Sequence, residues 1–356
     1  RFSGRAKRSC GSAATAAMWR SRSPHRPYAR CASIPRLISR SRPRIIKLSH
    51  SIREGADACA APSAFLKKYA DFAMYQVKKS TKGNLAEFDK DLYEDEKHDR
   101  QMHLEFYQLI EKEQLTYLFQ PILSAKNGEI IAYEALMRSQ LATLKNPEMI
   151  LRIAREENKL EDVERICIFK STETFDQLRK NKLVKEDALL FINSIASVSL
   201  NDEDRERFHR YFSHIQSQIV VEVTEEENMS EEALIRKRET KGFSGMFALD
   251  DYGSGYNTEI NLLNLSPKYI KIDLTIVRNI DKDFDKQQLV SNIVEYAHQR
   301  EGYIIAEGIE TKEELLKVLE LGVDYLQGYY LSYPQLNPQE VSNESIKTIE
   351  NYWKKR

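Results

Sequence analysis

The sequence predicts an α/β fold for the body of the chain: a closed β/α barrel in which the first strand runs antiparallel to the second. Short apolar runs alternate with helical stretches of ten to twenty residues, a pattern that favours a barrel over an open sheet. The length of the body, about 220 residues, is normal for a TIM-like (β/α)8 barrel. The eight apolar runs are residues 116–122, 130–136, 189–193, 219–224, 246–251, 269–273, 303–307 and 323–327.

The reversed first strand follows from the connection between the first two runs. They are joined by a short turn that contains Asn127 and Gly128, a pair typical of hairpins. A parallel crossover needs about a dozen residues or more. We therefore expect the first strand to pair antiparallel with the second, while the remaining strands follow the parallel barrel order.

The net charge of zero conceals two regions of opposite charge. Residues 1–50 hold eleven Arg and two Lys and no acidic residue. Residues 51–356 therefore carry 41 basic against 54 acidic side chains. A basic tail precedes an acidic body, and the two regions have to be interpreted separately.

Residues 1–60 are rich in Arg, Ser, Ala and Pro and show no sustained helical or strand period. Three interpretations are open: an organellar transit peptide, a basic arm that binds nucleic acid, or a disordered or non-native leader such as a shifted reading frame. We favour the third, because the next segment resembles the end of a domain. In that interpretation the leader is dispensable for the chemistry of the barrel.

Cysteine usage and hydropathy indicate a cytoplasmic protein. The chain has four cysteines and no CxxC spacing, which favours a reducing compartment. No apolar run approaches the ~20 residues that span a bilayer, so no membrane segment is expected. Because the chain begins at Arg1 rather than Met, we expect a fragment of a larger, sensory or membrane-attached protein.

Polar residues fall at or near the ends of the apolar runs. Since the carboxyl ends of parallel barrel strands share one face, these side chains should converge there. Carboxylates that close raise one another's pKa, and the arrangement is costly unless a cation compensates. The pattern predicts a metal site, and the alternative is a solvated acidic patch. The residues are Glu134, Asn193, Glu222, Asp250, Asp251, Asp273, Glu307 and Gln327.

The type of ligand selects the metal. The set offers only oxygen, and none of the seven histidines lies at a strand end, which favours Mg²⁺ or Mn²⁺ over zinc. The adjacent pair Asp250 and Asp251 is suited to two ions, since one carboxylate can bridge while its neighbour binds the second ion. Two ions are suited to clamp the attacking and leaving oxygens of a phosphodiester displacement.

Two basic residues are candidates for phosphate chemistry. Lys271 lies two residues before Asp273, so both point to one face of their strand. Lys271 either orients the nucleophilic water or is a plain counter-ion, and the sequence leaves both open. Arg138, four residues after Glu134, is expected on the loop that leaves the second strand, where it can grip a phosphate with two donors.

Residues 61–88 precede the body and contain an amphipathic helical pattern that ends at Gly83. The run ADFAMYQVKKS (70–80) resembles the last helix of GGDEF diguanylate cyclase domains. The GG(D/E)EF motif itself does not occur in the chain, so no cyclase activity is expected. We interpret residues 61–88 as a remnant of such a helix and residues 89–115 as a helical linker.

The body resembles the EAL-domain phosphodiesterases, which hydrolyse the bacterial messenger cyclic di-GMP to linear pGpG. The resemblance covers about 230 residues, places the barrel at 104–350, and implies the same fold. Eight motifs carry it in the family's order: FQPI (119–122), YEALMR (133–138), FINS (191–194), VEVTE (221–225), LDDYGSGYN (249–257), IKID (270–273), AEGIET (306–311) and YLQGYYLSYP (325–334).

The resemblance implies a role for each matching position. The implied metal ligands are Glu134, Asn193, Glu222, Asp250 and Asp251. Glu307 matches the proposed general base, and Lys271 and Gln327 match groups that hold the catalytic water. Glu225 matches the acid that anchors the flexible loop 250–257. The implied substrate contacts are Gln120, Leu136, Arg138 and Asp273.

The resemblance also implies partners and leaves alternatives. It implies two Mg²⁺ or Mn²⁺ ions, cyclic di-GMP, and a homodimer through the barrel, with no nucleic acid bound by the barrel. Ca²⁺ is expected to bind but to inhibit, because it prefers longer and looser coordination. The intact ligand set favours an enzyme in bacterial signalling. The alternatives are a catalytically silent cyclic di-GMP receptor, or a barrel that regulates nucleic-acid binding by the basic arm.

Overall fold

The computed structural model describes residues 68–69, 71–75, 89–195, 197–224, 246–254, 262–263, 265–338 and 340–356. The basic leader, residues 1–60, and most of residues 61–88 lie outside the described residues. Residues 68–69 and 71–75 are helical, in a unit that ends at Tyr93. The barrel belongs to a second unit, Glu94–Arg356.

The described elements alternate between strands and helices. The strands are β1 (Leu115–Ser124), β2 (Ile130–Ser139), β3 (Leu189–Asn193), β4 (Ile219–Thr224), β5 (Met246–Tyr252), β6 (Tyr269–Ile272), β7 (Tyr303–Ala306) and β8 (Tyr325–Leu326). The helices are α1 (Lys90–Lys112), α2 (Pro147–Glu156), α3 (Leu160–Lys180), α4 (Asp202–Phe212), α5 (Leu274–Val277), α6 (Phe284–His298), α7 (Lys312–Glu320) and α8 (Asn343–Lys354). None of the helices in the described ranges is long and apolar enough to cross a membrane.

The strands close into a barrel in sequence order, from β1 to β8 and back to β1. β1 is antiparallel to both of its neighbours, and the other pairs are parallel. The predicted fold, including the reversed first strand, is therefore confirmed. In the β1–β2 turn, Gly128 has a φ of 70° and its amide donates to the Ser124 carbonyl at 2.8 Å.

Helix ends are fixed by local capping. Thr311 begins α7 with a capping box: its hydroxyl accepts from the Glu314 amide at 3.2 Å, and the Glu314 carboxylate accepts from the Thr311 amide at 3.0 Å. Asn146 caps α2, which has Pro147 in its first turn. These caps satisfy amides that the helix itself leaves without partners.

Two large apolar clusters lie where helices pack against the outside of the barrel, and a smaller cluster fills its interior. The interior cluster consists of Ile122, Ala132, Phe191, Val220, Ala248, Tyr269 and Ile305. Because strand side chains alternate between faces, the residue two positions beyond each interior residue of β2 to β7 also points inward. That alternation carries polar side chains to the carboxyl ends of the parallel strands.

Candidate active site

The inward positions at the carboxyl ends of the strands form an acidic mouth around one lysine. The term acidic mouth is used below for Glu134, Asn193, Glu222, Asp250, Asp251, Lys271, Glu307 and Gln327. Each lies on the strand or strand end where the sequence places it, and the structure brings these eight side chains together at one end of the barrel.

Lys271 on β6 is the centre of the acidic mouth and is only 1% exposed. Its Nζ lies 2.5 Å from a Glu222 oxygen and 2.6 Å from a Glu307 oxygen. It also lies 2.9 Å from an Asp250 oxygen and 3.6 Å from a Glu134 oxygen. One ammonium group therefore faces four carboxylates, which is the counter-ion arrangement that the sequence left as one of two possibilities for this residue.

Burial and charge shift the pKa values in the acidic mouth. Burial raises the pKa of Glu222 and of Glu307, and the attraction of Lys271 offsets only part of that rise. Burial also raises the pKa of Asp251 to about 6, with repulsion from Asp250 adding to it. For Lys271, burial lowers the pKa, but the surrounding carboxylates raise it overall. These shifts favour the charged form of Lys271 and the neutral forms of Glu222, Glu307 and Asp251, because the negative charge of the mouth exceeds what one lysine offsets.

The adjacent acids of β5 reach the same site through an irregularity in the strand. Successive strand residues normally point to opposite faces. Here the β5–β6 register shifts between Leu249 and Tyr252, and Asp251 has a φ of 56°. Aspartate tolerates this left-handed conformation better than most residues. As a result, carboxylate oxygens of Asp250, Asp251 and Glu307 all lie within 4.8 Å of one another.

Gln327 and Asn193 donate hydrogen bonds to Glu134, and Gln120 accepts a further hydrogen bond from Gln327. The Gln327 amide donates to Glu134 Oε2 at 2.5 Å and to Gln120 Oε1 at 3.2 Å. The Asn193 amide donates to Glu134 Oε1 at 3.3 Å. Gln120 is itself held by donation to the Ser332 carbonyl at 3.1 Å. These hydrogen bonds tie the reversed strand β1 to the parallel strands of the mouth.

Gly328 allows the chain beyond Gln327 to pass close to the loop after β7. Its φ is 157°, and an added Cβ would lie 2.2 Å from the Ile309 carbonyl oxygen. The Ile309 amide donates to the Gln327 carbonyl at 3.1 Å. A side chain at position 328 would therefore displace the two loops that carry Glu307 and Gln327.

The prediction that Arg138 lies on a loop is wrong: β2 continues to Ser139, and Arg138 pairs with Thr116 of β1. The strand is longer than its apolar run because the antiparallel ladder with β1 continues to Leu115. Leu136 and Arg138 share the face of Glu134, since they follow it at intervals of two residues. The Arg138 guanidinium donates to the Met137 carbonyl at 2.8 Å.

Asp273, predicted to converge with the other strand-end residues, follows the last residue of β6, Ile272, and is not one of the residues of the acidic mouth. Asp273 caps helix α5, accepting from the Thr275 amide at 2.9 Å. The expected loop anchor, Glu225, and residues 255–257 of the expected flexible loop 250–257 lie outside the described residues.

The donors of the acidic mouth fit hard divalent cations. Four carboxylates face one ammonium group, the carboxylate of Asp251 lies beside two of them, and the candidate ligand atoms are all oxygens. Glu222 is fully buried, and its Oε2 atom has no hydrogen-bond partner among the described residues. A buried carboxylate oxygen without a partner is expensive, and a cation would satisfy it.

Sequence reasoning missed Glu164, a buried acid on α3 whose carboxylate accepts from the Ile195 amide at 2.8 Å, two residues beyond Asn193. It lies at no strand end, so the pattern that identified the other acids does not include it. The available signal is its place between Val163 and Ile166 on the apolar face of a helix.

Residues 104–334 match the protein family described as EAL domain. Curated relatives include MucR of Pseudomonas aeruginosa, a bifunctional diguanylate cyclase/cyclic di-GMP phosphodiesterase. It is 27% identical over 278 residues, which cover 74% of this chain and 39% of MucR. The cyclic di-GMP phosphodiesterase PdeF of Escherichia coli is 33% identical over 120 residues, 33% of this chain and 16% of PdeF. The chain thus spans less than two-fifths of the length of these relatives.

Solved structures with the same fold include the EAL enzyme Bd1971 in a cAMP-bound form. It has a TM-score of 0.58 and 25% identity, covering 73% of this chain and 72% of that one. The PaMucR phosphodiesterase in complex with c-di-GMP has a TM-score of 0.56 and 26% identity, covering 66% of this chain and 97% of that one.

Proposed function

Because the chain belongs to the EAL domain family over residues 104–334, we propose that its barrel is a metal-dependent phosphodiesterase that hydrolyses cyclic di-GMP to linear pGpG. The observation that carries the proposal is the convergence of five carboxylates at the carboxyl end of the barrel, four of them paired with Lys271. The similarity to proteins named as cyclic di-GMP phosphodiesterases supports the choice of substrate.

In the proposed reaction, the oxygen of a water molecule bonds to phosphorus while the bond from phosphorus to one 3′ oxygen of the ring breaks. Glu307 accepts the water proton, a role favoured by its raised pKa, and the leaving oxygen gains a proton from solvent. Lys271 and Gln327 hold the water. Arg138 binds the phosphate together with Gln120, and Leu136 and Asp273 are further substrate contacts.

The proposed cofactors are two Mg²⁺ or Mn²⁺ ions held by Glu134, Asn193, Glu222, Asp250 and Asp251. Bound divalent cations supply positive charge for the phosphoryl oxygens and make water more acidic. We expect Ca²⁺ to bind at the same oxygens and to support poor turnover, because its coordination is longer and looser. A turnover rate in Ca²⁺ equal to that in Mn²⁺ would be evidence against this assignment.

The test is a nucleotide assay on the full purified chain with Mg²⁺ or Mn²⁺, in which the product is separated by chromatography. We expect pGpG to accumulate in either metal and to be abolished by EDTA. Glu307→Gln should retain nucleotide binding and lose turnover at least about 100-fold, as expected for a general base. Absence of turnover by the wild type in both metals contradicts the proposal.

The alternative is a catalytically silent cyclic di-GMP receptor. Tight nucleotide binding by the wild type, with no product in either metal, would support the receptor instead. A barrel that only regulates the basic arm predicts a different result: removal of residues 1–60 should change nucleotide hydrolysis, whereas the enzyme proposal expects no change.

Further parts of the proposal concern the surroundings of the barrel. The chain forms a homodimer through the barrel and is located in the cytoplasm. Glu225 anchors the loop 250–257. Residues 61–88 are the remnant of a GGDEF-like helix, followed by a linker at 89–115. The dimer predicts twice the chain mass in light scattering.

A further inference from the structure

A buried carboxylate on the outer helix α3 reaches the loop that follows the metal-side strand β3. Glu164 is 2% exposed. Its Oε2 atom accepts from the Ile195 backbone amide at 2.8 Å, and its Oε1 atom accepts from the Ser194 hydroxyl. Burying a carboxylate is costly without such donors, so these two hydrogen bonds are needed to offset the cost of burying Glu164.

Both donors lie in the two residues directly after Asn193, the last residue of β3. On the other side of the same turn, the Ser194 amide donates to the Glu222 carbonyl of β4 at 3.1 Å. Directly after β3, the chain is thus hydrogen-bonded to β4 on the barrel side and to α3 on the outer side. Asn193 is positioned between these two fixed points and the Glu134 carboxylate.

Asn193 differs from the other proposed ligands because its carboxamide is neutral. A neutral oxygen attracts a cation less strongly than a carboxylate does, so its contribution depends more on being held at the correct place. Asn193 is also exposed and is the last residue of β3, where the ladder with β4 ends at the pair Asn193 and Glu222. The hydrogen bonds that Glu164 accepts restrain the chain directly beyond this last pair.

We propose that Glu164 is a positioning residue that, through Ser194 and Ile195, holds the Asn193 carboxamide where it binds a divalent cation. The inference rests on the proposed function, since it presumes a metal in the acidic mouth. Glu164, a helix residue outside the acidic mouth, would then contribute to metal affinity as well as to stability.

Three variants separate hydrogen-bond geometry from charge and from packing. Glu164→Gln keeps both contacts, because its amide oxygen can accept from Ile195 while its amide nitrogen donates to the Ser194 hydroxyl. Glu164→Leu fills similar space and removes both contacts. The matched control is Glu161→Leu, on the exposed side of the same helix.

The measurement is direct Mn²⁺ binding to the full chain without nucleotide, by electron paramagnetic resonance of the free ion. We expect wild type, Glu164→Gln and Glu161→Leu to bind alike. Glu164→Leu should bind about 10-fold to 100-fold more weakly, the usual effect of losing a residue that orients a metal ligand. Thermal melting in EDTA reports any loss of packing separately.

A double-mutant cycle keeps the inference testable if Glu164→Leu does not fold. Ser194→Ala removes one of the two contacts and should weaken Mn²⁺ binding severalfold. In an Asn193→Ala background, where the ligand is gone, the same change should have no further effect.

The outcomes distinguish this inference from the proposed function. If the wild type does not bind Mn²⁺, both are overturned. If the wild type binds and Glu164→Leu, or Ser194→Ala in its place, binds equally well, only the positioning role is overturned. The positioning role is also overturned if Ser194→Ala lowers the Mn²⁺ affinity equally in the wild type and in the Asn193→Ala background.

Discussion

The two ends of the barrel interior are built from the same strands and have opposite chemistry. At the amino end, the rings of Tyr269, Tyr303 and Tyr325 pack together, with centroids 5.4 to 6.2 Å apart. Two residues further along β6 and β8 are Lys271 and Gln327 of the acidic mouth. A shift of two residues along a strand, about 7 Å, therefore separates an aromatic layer from an ionised one.

Burial raises the pKa of acidic groups at both ends of the barrel interior, but the consequences differ. It raises the pKa of Tyr325 to about 12 and that of Tyr269 as well, so these phenols stay neutral at ordinary pH. In the mouth it raises the pKa of Glu222 and Glu307, groups that start from much lower values. The aromatic end thus stabilises the fold at little electrostatic cost, whereas the mouth stores repulsion that a cation can relieve.

Of the substitutions considered, the one at Lys271 is expected to have the largest effect on stability and turnover. Lys271→Met removes the charge that faces four carboxylates, and loss of one partner of a buried ion pair costs about 3–5 kcal/mol. We expect urea unfolding in EDTA at pH 8 to show that loss, Mn²⁺ to restore part of it, and turnover to fall at least about 100-fold. Lys282→Met, at an exposed lysine, is the control. Unchanged stability and turnover would refute the role of Lys271 as counter-ion.

The aromatic end should respond in stability alone. Tyr269→Ala leaves a cavity among the rings and should lower the free energy of unfolding by about 3 kcal/mol. Tyr269→Phe keeps the ring and should cost less than about 1.5 kcal/mol. Both variants should retain wild-type kcat below their melting temperatures. A loss of kcat in Tyr269→Phe would show that the two ends are not independent.

The smallest expected effect is on the pH dependence of the stability of the metal-free protein. The pKa of Asp251 is raised from 3.8 to about 6, so between these values the folded chain binds a proton that the unfolded chain has released. Its stabilising contribution is present below pH 3.8 and is lost as the pH rises through 6.

Asp251→Asn should therefore flatten the fall in stability between pH 4 and 6, by on the order of 1 kcal/mol for a partly exposed group. Denaturant titrations in EDTA at several pH values provide the measurement. Parallel curves for the two proteins would contradict the raised pKa.

The barrel could be predicted from the sequence because its strands alternate with helices and the turn at Gly128 is too short for a crossover. The site could be predicted because strand ends of a parallel barrel share a face. Neither pattern reveals that Asp251 turns inward, since that depends on a shifted register and a left-handed backbone. The contact from Glu164 to the loop after β3 spans about thirty residues of chain, and tertiary packing alone determines it.

Arg138 shows a different limit. The apolar run ends at Leu136, but the ladder between β1 and β2 continues to Ser139, because backbone pairing does not require apolar side chains. Hydropathy therefore located the strand correctly and underestimated its length.

The most direct test of the account is anomalous diffraction from a crystal of the chain soaked in Mn²⁺. We expect anomalous peaks in the acidic mouth, within coordination distance of the proposed ligands Glu134, Asn193, Glu222, Asp250 and Asp251. A well-ordered mouth without a peak, or Mn²⁺ bound only elsewhere on the molecule, would contradict it.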